Sequence, residues 1–262
     1  TKGKTFDKLL FFTESGQVYT LDVHDLPEHH GLSTGESLKK YLKLPLNENI
    51  ISMTCINENN KDKYIALATK KGQIKKTICS EYDTNYTKIK AIKLSKNDKV
   101  IDMAIIDDKS DIVMASDNGK VIRFDAKTFS ETGRNTKGSR GIKLDKNDKV
   151  LNMSTLDNKD YIIAITESGK GHRSHKKYFS KQNRNGKGLN VAAASNYQIN
   201  SILTANIDDH LLITTKEEKM KVIKVEEITK VERPGYMYDL INLDNGDSIN
   251  EVKLIPYVEN KN

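Results

Sequence analysis

The eighteen residues from 170 to 187 carry the clearest chemical signal in this sequence. They contain seven Lys or Arg residues and no Asp or Glu, and glycines flank the last lysine at 186 and 188. Such cations neutralise phosphates, and neighbouring glycines let the main chain approach a phosphate closely enough for its N–H groups to bind. The stretch therefore predicts contact with a polyanion backbone rather than base-specific recognition.

Basic residues also recur in step along the chain. Cations follow a glycine at Lys75 and Lys76, at Lys120 and Arg123, and at Lys170 and Arg173. An isolated cluster would be explained by a solvated surface, but matched positions favour one common surface for a nucleic-acid backbone. We predict DNA contacts at Lys75, Lys76, Lys120, Arg123, Arg134, Lys137, Arg140, Lys170, Arg173, Lys176, Lys177, Lys181, Arg184 and Lys187.

A repeated element positions these cations. An apolar run, a Thr or Ser, two polar residues and a Gly occur four times, and a weaker fifth copy lacks the Gly. Each copy predicts a β-hairpin whose Gly adopts a positive φ, followed by a polar loop and two further strands. The copies end at Gly16, Gly72, Gly119, Gly169 and Glu218, with spacings of 56, 47, 50 and 49 residues.

A second element repeats with the first: residues 93–103 are nearly copied by residues 143–153. Four strands in roughly 50 residues are typical of a β-propeller-like array. We predict one all-β domain over residues 1–262, with five four-stranded blades. Their approximate bounds are 6–57, 62–107, 110–157, 159–206 and 208–257.

Composition excludes several other classes of protein. The chain has 262 residues and a formal net charge of +7, and no apolar run reaches the length of a membrane span. Two cysteines without a CxxC spacing argue against a disulfide framework or a structural zinc site and favour a reducing cytoplasm. The histidines at 24, 29, 30, 172, 175 and 210 lack ligand spacing, so we expect no metal and no cofactor.

Catalytic motifs are missing as well. The sequence contains no nucleophile elbow and no Walker-type phosphate loop. Gly169-Lys170-Gly171 is explained by a hairpin turn. We therefore expect a chain that is not an enzyme by itself.

Several of these motifs together resemble the C-terminal, DNA-wrapping domain in the A subunit of DNA gyrase. The resemblance is carried by residues 9–19 (LLFFTESGQVY), 133–144 (GRNTKGSRGIKL) and 166–173 (TESGKGHR), and it covers nearly the whole chain. It implies a β-pinwheel, a propeller-like disc whose blades exchange strands. It also implies a basic outer rim that wraps duplex DNA. The implied partners are the ATPase B subunit and the rest of the topoisomerase A subunit of a bacterial, nucleoid-associated enzyme.

Two departures from that family leave alternatives open. The family disc usually has six blades, and this chain is expected to begin at the second, without the Gln-Arg-Arg-Gly-Gly-Lys-Gly box of the first. The nearest match, residues 182–188 (QNRNGKG), lies in the fourth repeat. The alternatives are a fragment, a five-blade variant, the corresponding domain of topoisomerase IV, or a propeller that serves as a scaffold for an acidic protein partner.

Overall fold

The computed structural model describes residues 4–28, 35–194 and 197–257. Regular structure in these residues is almost entirely β-strand, with one short helix, α1 (Leu38–Leu42), which confirms the predicted all-β class. His29 and His30, considered above as metal ligands, lie outside the described residues. Five 3-10 turns follow the hairpins, at Val23–Asp25, Cys79–Tyr82, Ala126–Thr128, Lys176–Tyr178 and Val225–Glu227.

Each repeat begins with the predicted hairpin. The first strands of the hairpins are apolar runs because most of their residues are buried on both faces of the sheet. The five hairpins are β1 (Lys8–Thr13) with β2 (Gln17–Asp22), β4 (Tyr64–Thr69) with β5 (Gln73–Ile78), β8 (Asp111–Ser116) with β9 (Lys120–Asp125), β12 (Tyr161–Thr166) with β13 (Lys170–His175), and β16 (His210–Thr215) with β17 (Met220–Lys224).

The recurring Thr and Gly contribute differently to the hairpin turn, since the Thr supplies a hydrogen-bond acceptor and the Gly adopts a positive φ. The Thr166 hydroxyl accepts a hydrogen bond from the Lys170 backbone N–H at 3.1 Å, which closes the turn. Gly169 has a φ of +78°, a conformation that side chains disfavour. In the fifth hairpin Glu218 adopts the same conformation, with a φ of 62°.

Every hairpin pairs with a third strand from its own repeat, on the side of its first strand. These strands pack against one another, β3 with β7 and then β11 with β15 and β15 with β19, and they add Ile56, Val100, Ile249 and Val252 to the apolar clusters. Their bounds are β3 (Ile50–Ile56), β7 (Val100–Ile106), β11 (Val150–Thr155), β15 (Ile199–Ala205) and β19 (Ile249–Ile255).

The fourth strand of a sheet comes from the following repeat. β6 pairs with β2, β14 with β9 and β18 with β13, while β10 pairs with β5, so four sheets end on an exchanged outer strand. This is the strand exchange that the resemblance implied. The predicted blade bounds therefore mark repeats along the chain rather than sheets. The outer strands are β6 (Lys88–Lys90), β10 (Ser139–Arg140), β14 (Leu189–Asn190) and β18 (Tyr238–Asp239).

The fifth sheet departs from the four-stranded expectation. In the described residues it has the order β17-β16-β19, and no outer strand pairs with β17. Met220 of β17 is 73% exposed, whereas Ile74, at the matched position of β5, is fully buried. The exchanged strand is therefore what buries this position in the other sheets.

The chain divides into two compact units. The first, residues 1–107 with 129–139, holds the sheets built on the first two hairpins. The second, residues 108–128 with 140–262, holds the sheets built on the other three. The prediction of a single domain stays a prediction.

Gly169→Ala tests how closely the exchanged segment covers a hairpin. The new Cβ would lie 2.8 Å from the Ile241 carbonyl oxygen, in the segment that follows β18. We expect the free energy of unfolding in urea to fall by about 2–4 kcal/mol, from backbone strain and overpacking together. Gly246→Ala is the control, since Gly246 has a φ of +90° and open space around it. It should lose about 1–2 kcal/mol; equal losses would contradict the close packing.

Candidate nucleic-acid interface

Lys76, Arg123 and Arg173 occupy one matched position on the second strand of their hairpins. Arg123 makes a two-pronged contact with the Asp111 carboxylate, with Nε–Oδ2 at 2.9 Å and Nη2–Oδ2 at 2.5 Å. Its Nη1 also donates to the carbonyls of Lys176 and Phe179, both at 3.0 Å. The guanidinium therefore holds the 3-10 turn of the following repeat.

Arg173 and Lys76, the other two cations at this position, also contact the following repeat at or just after its 3-10 turn. Arg173 donates to the carbonyls of Ile228 and Glu226 at 2.8 and 3.2 Å, at the fifth 3-10 turn. Lys76 is 3% exposed, and its Nζ lies 5.2 Å from the ring of Phe129, just after the third turn. These three cations therefore recur because each one fastens its repeat to the next.

Lys75 is also an interior residue, at 2% exposure. Its Nζ donates to the carbonyl oxygens of Ala91, Gly133 and Arg134 at 2.7, 2.7 and 2.5 Å. Burial lowers the pKa of this ammonium to about 8, with a smaller opposing effect of the Glu81 carboxylate. Lys75 thus supports the loop before β10 from below, with its ammonium enclosed by these three carbonyl oxygens.

A third recurring cation lies in the loop before three of the four exchanged strands, β10, β14 and β18. Arg184 donates to the carbonyls of Thr128 and Arg140 at 2.9 and 3.2 Å. Arg233 makes the matching bonds to Tyr178 and Asn190, while the Arg134 Nε lies 3.7 Å from the Glu81 carboxylate. These arginines hold the loops in place, and Arg233 was missed by the sequence analysis.

Four more of the predicted cations lie beside carboxylates. Surface pairs of this kind contribute little to stability, but they compensate charge that a phosphate would otherwise meet. The pairs are Lys120 with Asp145, Lys170 with Asp239, Lys176 with Asp160, and Lys181 with Asp125 and Asp111.

The remaining predicted cations are exposed. Lys137 and Lys187 lie at matched positions just before β10 and β14, and in the described part of the chain neither has an ion pair. Arg140 lies on β10, with its Nη1 3.4 Å from the Asn185 side chain. Lys177 is on the fourth 3-10 turn, with its Nζ 4.9 Å from the Tyr178 ring.

The outer strands carry further exposed cations that the sequence analysis did not select. They are Lys88 and Lys90 on β6, and Lys93 and Lys143 just after β6 and β10. The available signal was the second repeated element, which begins at Lys93 and Lys143. An open groove of about 730 Å³ lies beside β6, between Lys88, Lys90 and the loop at Arg134.

One group of possible metal ligands lies among the described residues. Asp22, His24 and Asp25 at the end of β2 have ligand atoms within 4.8 Å of one another, with His24 and Asp25 about half exposed. Exposed groups of this kind are common without an ion, and the expectation that the chain binds no metal stays a prediction. Across the described residues, no helix has the length and apolar character needed to span a membrane.

Arg123→Ala tests the fastening role. It leaves the Asp111 carboxylate without its main partner, and this side chain is 13% exposed. We expect the free energy of unfolding to fall by about 3 kcal/mol or more, as when one member of a buried ion pair is removed. Lys127→Ala, an exposed neighbour on the third 3-10 turn, should change it by less than about 0.5 kcal/mol. Urea titration measures both, and a loss under about 1 kcal/mol for Arg123→Ala would contradict the role.

Solved structures of topoisomerase domains share this fold. The C-terminal domain of DNA topoisomerase IV superposes with a TM-score of 0.90 at 23% identity, covering 96% of this chain and 80% of that one. The DNA gyrase A C-terminal domain superposes with a TM-score of 0.78 at 19% identity, covering 97% and 84%.

Curated relatives match over shorter stretches. The A subunit of DNA gyrase from Synechocystis sp. is 36% identical over 76 residues, 29% of this chain and 9% of that protein. The Helicobacter pylori counterpart is 34% identical over 90 residues, 34% and 11% of the two chains. These matches span about a tenth of each bacterial relative.

The family described as DNA gyrase C-terminal domain, beta-propeller, matches residues 7–57, 63–107, 110–157 and 160–198. These four ranges follow four of the five repeats and cover more than half of the sequence. The chain therefore belongs to the DNA gyrase C-terminal domain family.

Proposed function

We propose that this chain binds duplex DNA through its phosphate backbone and bends it along the exchanged outer strands. The observation that carries the proposal is the set of exposed cations on and beside three of these strands. They are Lys88, Lys90 and Lys93 at β6, Lys137, Arg140 and Lys143 at β10, and Lys187 at β14. The proposed interface therefore leaves out the predicted cations that are buried or already hydrogen-bonded within the protein.

Matched positions suit a ligand whose charge repeats regularly. Cations lie before, on and after β10, on and after β6, and before β14, so a phosphate backbone meets them at matched positions of these three strands. Lysine supplies a point charge and no base readout, which favours sequence-independent contact. The open groove beside β6 gives a phosphate access to Lys88 and Lys90.

The free energy of bending the duplex must be offset by several phosphate contacts made at the same time. Bending a duplex of 20–30 base pairs costs about 1–6 kcal/mol in elastic estimates, and cations on successive strands offset that cost. Each neutralised phosphate releases counterions, so affinity falls steeply with salt. A single outer strand would give only weak binding.

The proposed setting is a bacterial type II topoisomerase, with the chain as the non-catalytic DNA-wrapping part of its A subunit. DNA cleavage would belong to the rest of that polypeptide, while a separate B subunit would hydrolyse ATP, in the cytoplasm at the nucleoid. The names of the curated relatives support this setting and favour gyrase, whereas the topoisomerase IV structure is similar in fold.

Lys137→Ala and Lys187→Ala test the outer strands directly. Each should reduce the magnitude of the negative slope of log affinity against log salt by about 0.9, because one phosphate contact is lost. The double variant should lower it by about 2. Fluorescence anisotropy with a duplex of fixed sequence at several salt concentrations measures the slope.

The control for these variants is Lys253→Ala, an exposed lysine on β19. It should leave both affinity and slope unchanged, and changing the duplex sequence should not alter the ranking of the variants. Equal losses for Lys253 and Lys137 would indicate a general charge effect and would overturn the proposed interface.

Plasmid topology tests the wrapping itself. Nicked circles sealed by ligase at increasing protein concentration should shift to a more positive linking number, because a right-handed wrap traps positive writhe. Intact binding with no shift would show bending without a chiral wrap, which would favour the topoisomerase IV alternative. Absence of binding at low salt would reject the DNA function.

A further inference from the structure

The charge of the exchanged outer strands changes along the chain. Hydrogen bonds and strand pairing align three positions in each outer segment. In chain order the segments carry Thr87, Lys90 and Lys93 at β6, Lys137, Arg140 and Lys143 at β10, Lys187, Asn190 and Ala193 at β14, and Tyr236, Asp239 and Asn242 at β18. The formal charge at these positions is +2, +3, +1 and −1.

β18 is thus the outer strand whose matched positions carry no cation. Tyr236 is 67% exposed where Lys137 and Lys187 stand in the preceding segments. Asp239 lies 3.5 Å from the Lys170 ammonium and compensates its charge. Lys221 of the fifth hairpin donates to the Leu240 carbonyl at 2.8 Å, so its ammonium is also engaged.

We propose that the duplex follows β6, β10 and β14 and leaves the protein before β18, so that Tyr236 and Asp239 mark one end of the DNA path. This inference rests on the proposed function. A carboxylate facing a phosphate repels it, and the neutral Tyr236 offers no counterion release. The DNA contact is therefore made by three of the four outer strands and is asymmetric along the chain.

Exchanging residues between β18 and β10 tests the inference. Tyr236→Ala should leave affinity within about twofold, because this side chain lies outside the path. Tyr236→Lys with Asp239→Arg gives β18 the residues of β10 and should extend the path. The magnitude of the negative slope of log affinity against log salt should then increase by about 1–2, which corresponds to one or two new phosphate contacts.

The reverse exchange is the matched control. Lys137→Tyr with Arg140→Asp gives β10 the residues that β18 has at these two positions and should reduce the magnitude of the slope by about 2. All these residues are exposed or lie on the outer edge, and thermal unfolding checks that each variant is folded. Anisotropy with one duplex at four salt concentrations supplies every slope.

The outcomes separate the two proposals. If the reverse exchange weakens binding and Tyr236→Ala weakens it as much as Lys137→Ala does, β18 contacts DNA and this inference is wrong. If the reverse exchange weakens binding and the β18 exchange leaves the slope unchanged, charge does not set the end of the path, and the inference also fails. If the reverse exchange has no effect, the proposed outer-strand interface itself is rejected.

Discussion

The structure depends on the exchange of one short strand between repeats. Without it, the second strand of each hairpin would leave its edge and its apolar residues in water, as Met220 of β17 does. With it, Ile74 and Val121 are buried, and the main chain of the following repeat closes over the hairpin glycine. Each repeat is thus completed by its successor, as expected of an array whose units cannot bury their own apolar faces.

The exchanged strand also separates the two kinds of cation. Arginines and buried lysines lie beneath or beside it, where carbonyl oxygens and the Asp111 carboxylate satisfy their donors. A guanidinium suits this task because its planar fork can bind several acceptors and cannot be neutralised. Exposed lysines and Arg140 lie on its outer side, where their charged groups remain hydrated. In the proposed function, stability and DNA contact use different cations within the same repeat.

This division explains why the regular spacing of cations in the sequence selected buried residues together with exposed ones. Lys76, Arg123 and Arg173 recur because the fastening of repeats recurs, and the same period would follow from a DNA surface. Lys137 and Lys187 were identified by the same reasoning and are exposed. Lys88 and Lys90 were missed because they lie outside the repeated motifs, and Lys93 was overlooked although it begins the second repeated element.

The sequence by itself determined the all-β class, the five hairpins and their turns, because hydrophobic runs, Thr and Gly act over a few neighbouring residues. Through its resemblance it also indicated the family and the exchange of strands. Only the tertiary structure decided which cations face solvent, because that depends on contacts between residues about 50 positions apart, such as Arg123 with Phe179. Burial and the acceptors around each cation, rather than its residue type, decide whether it holds the fold or remains available to a phosphate.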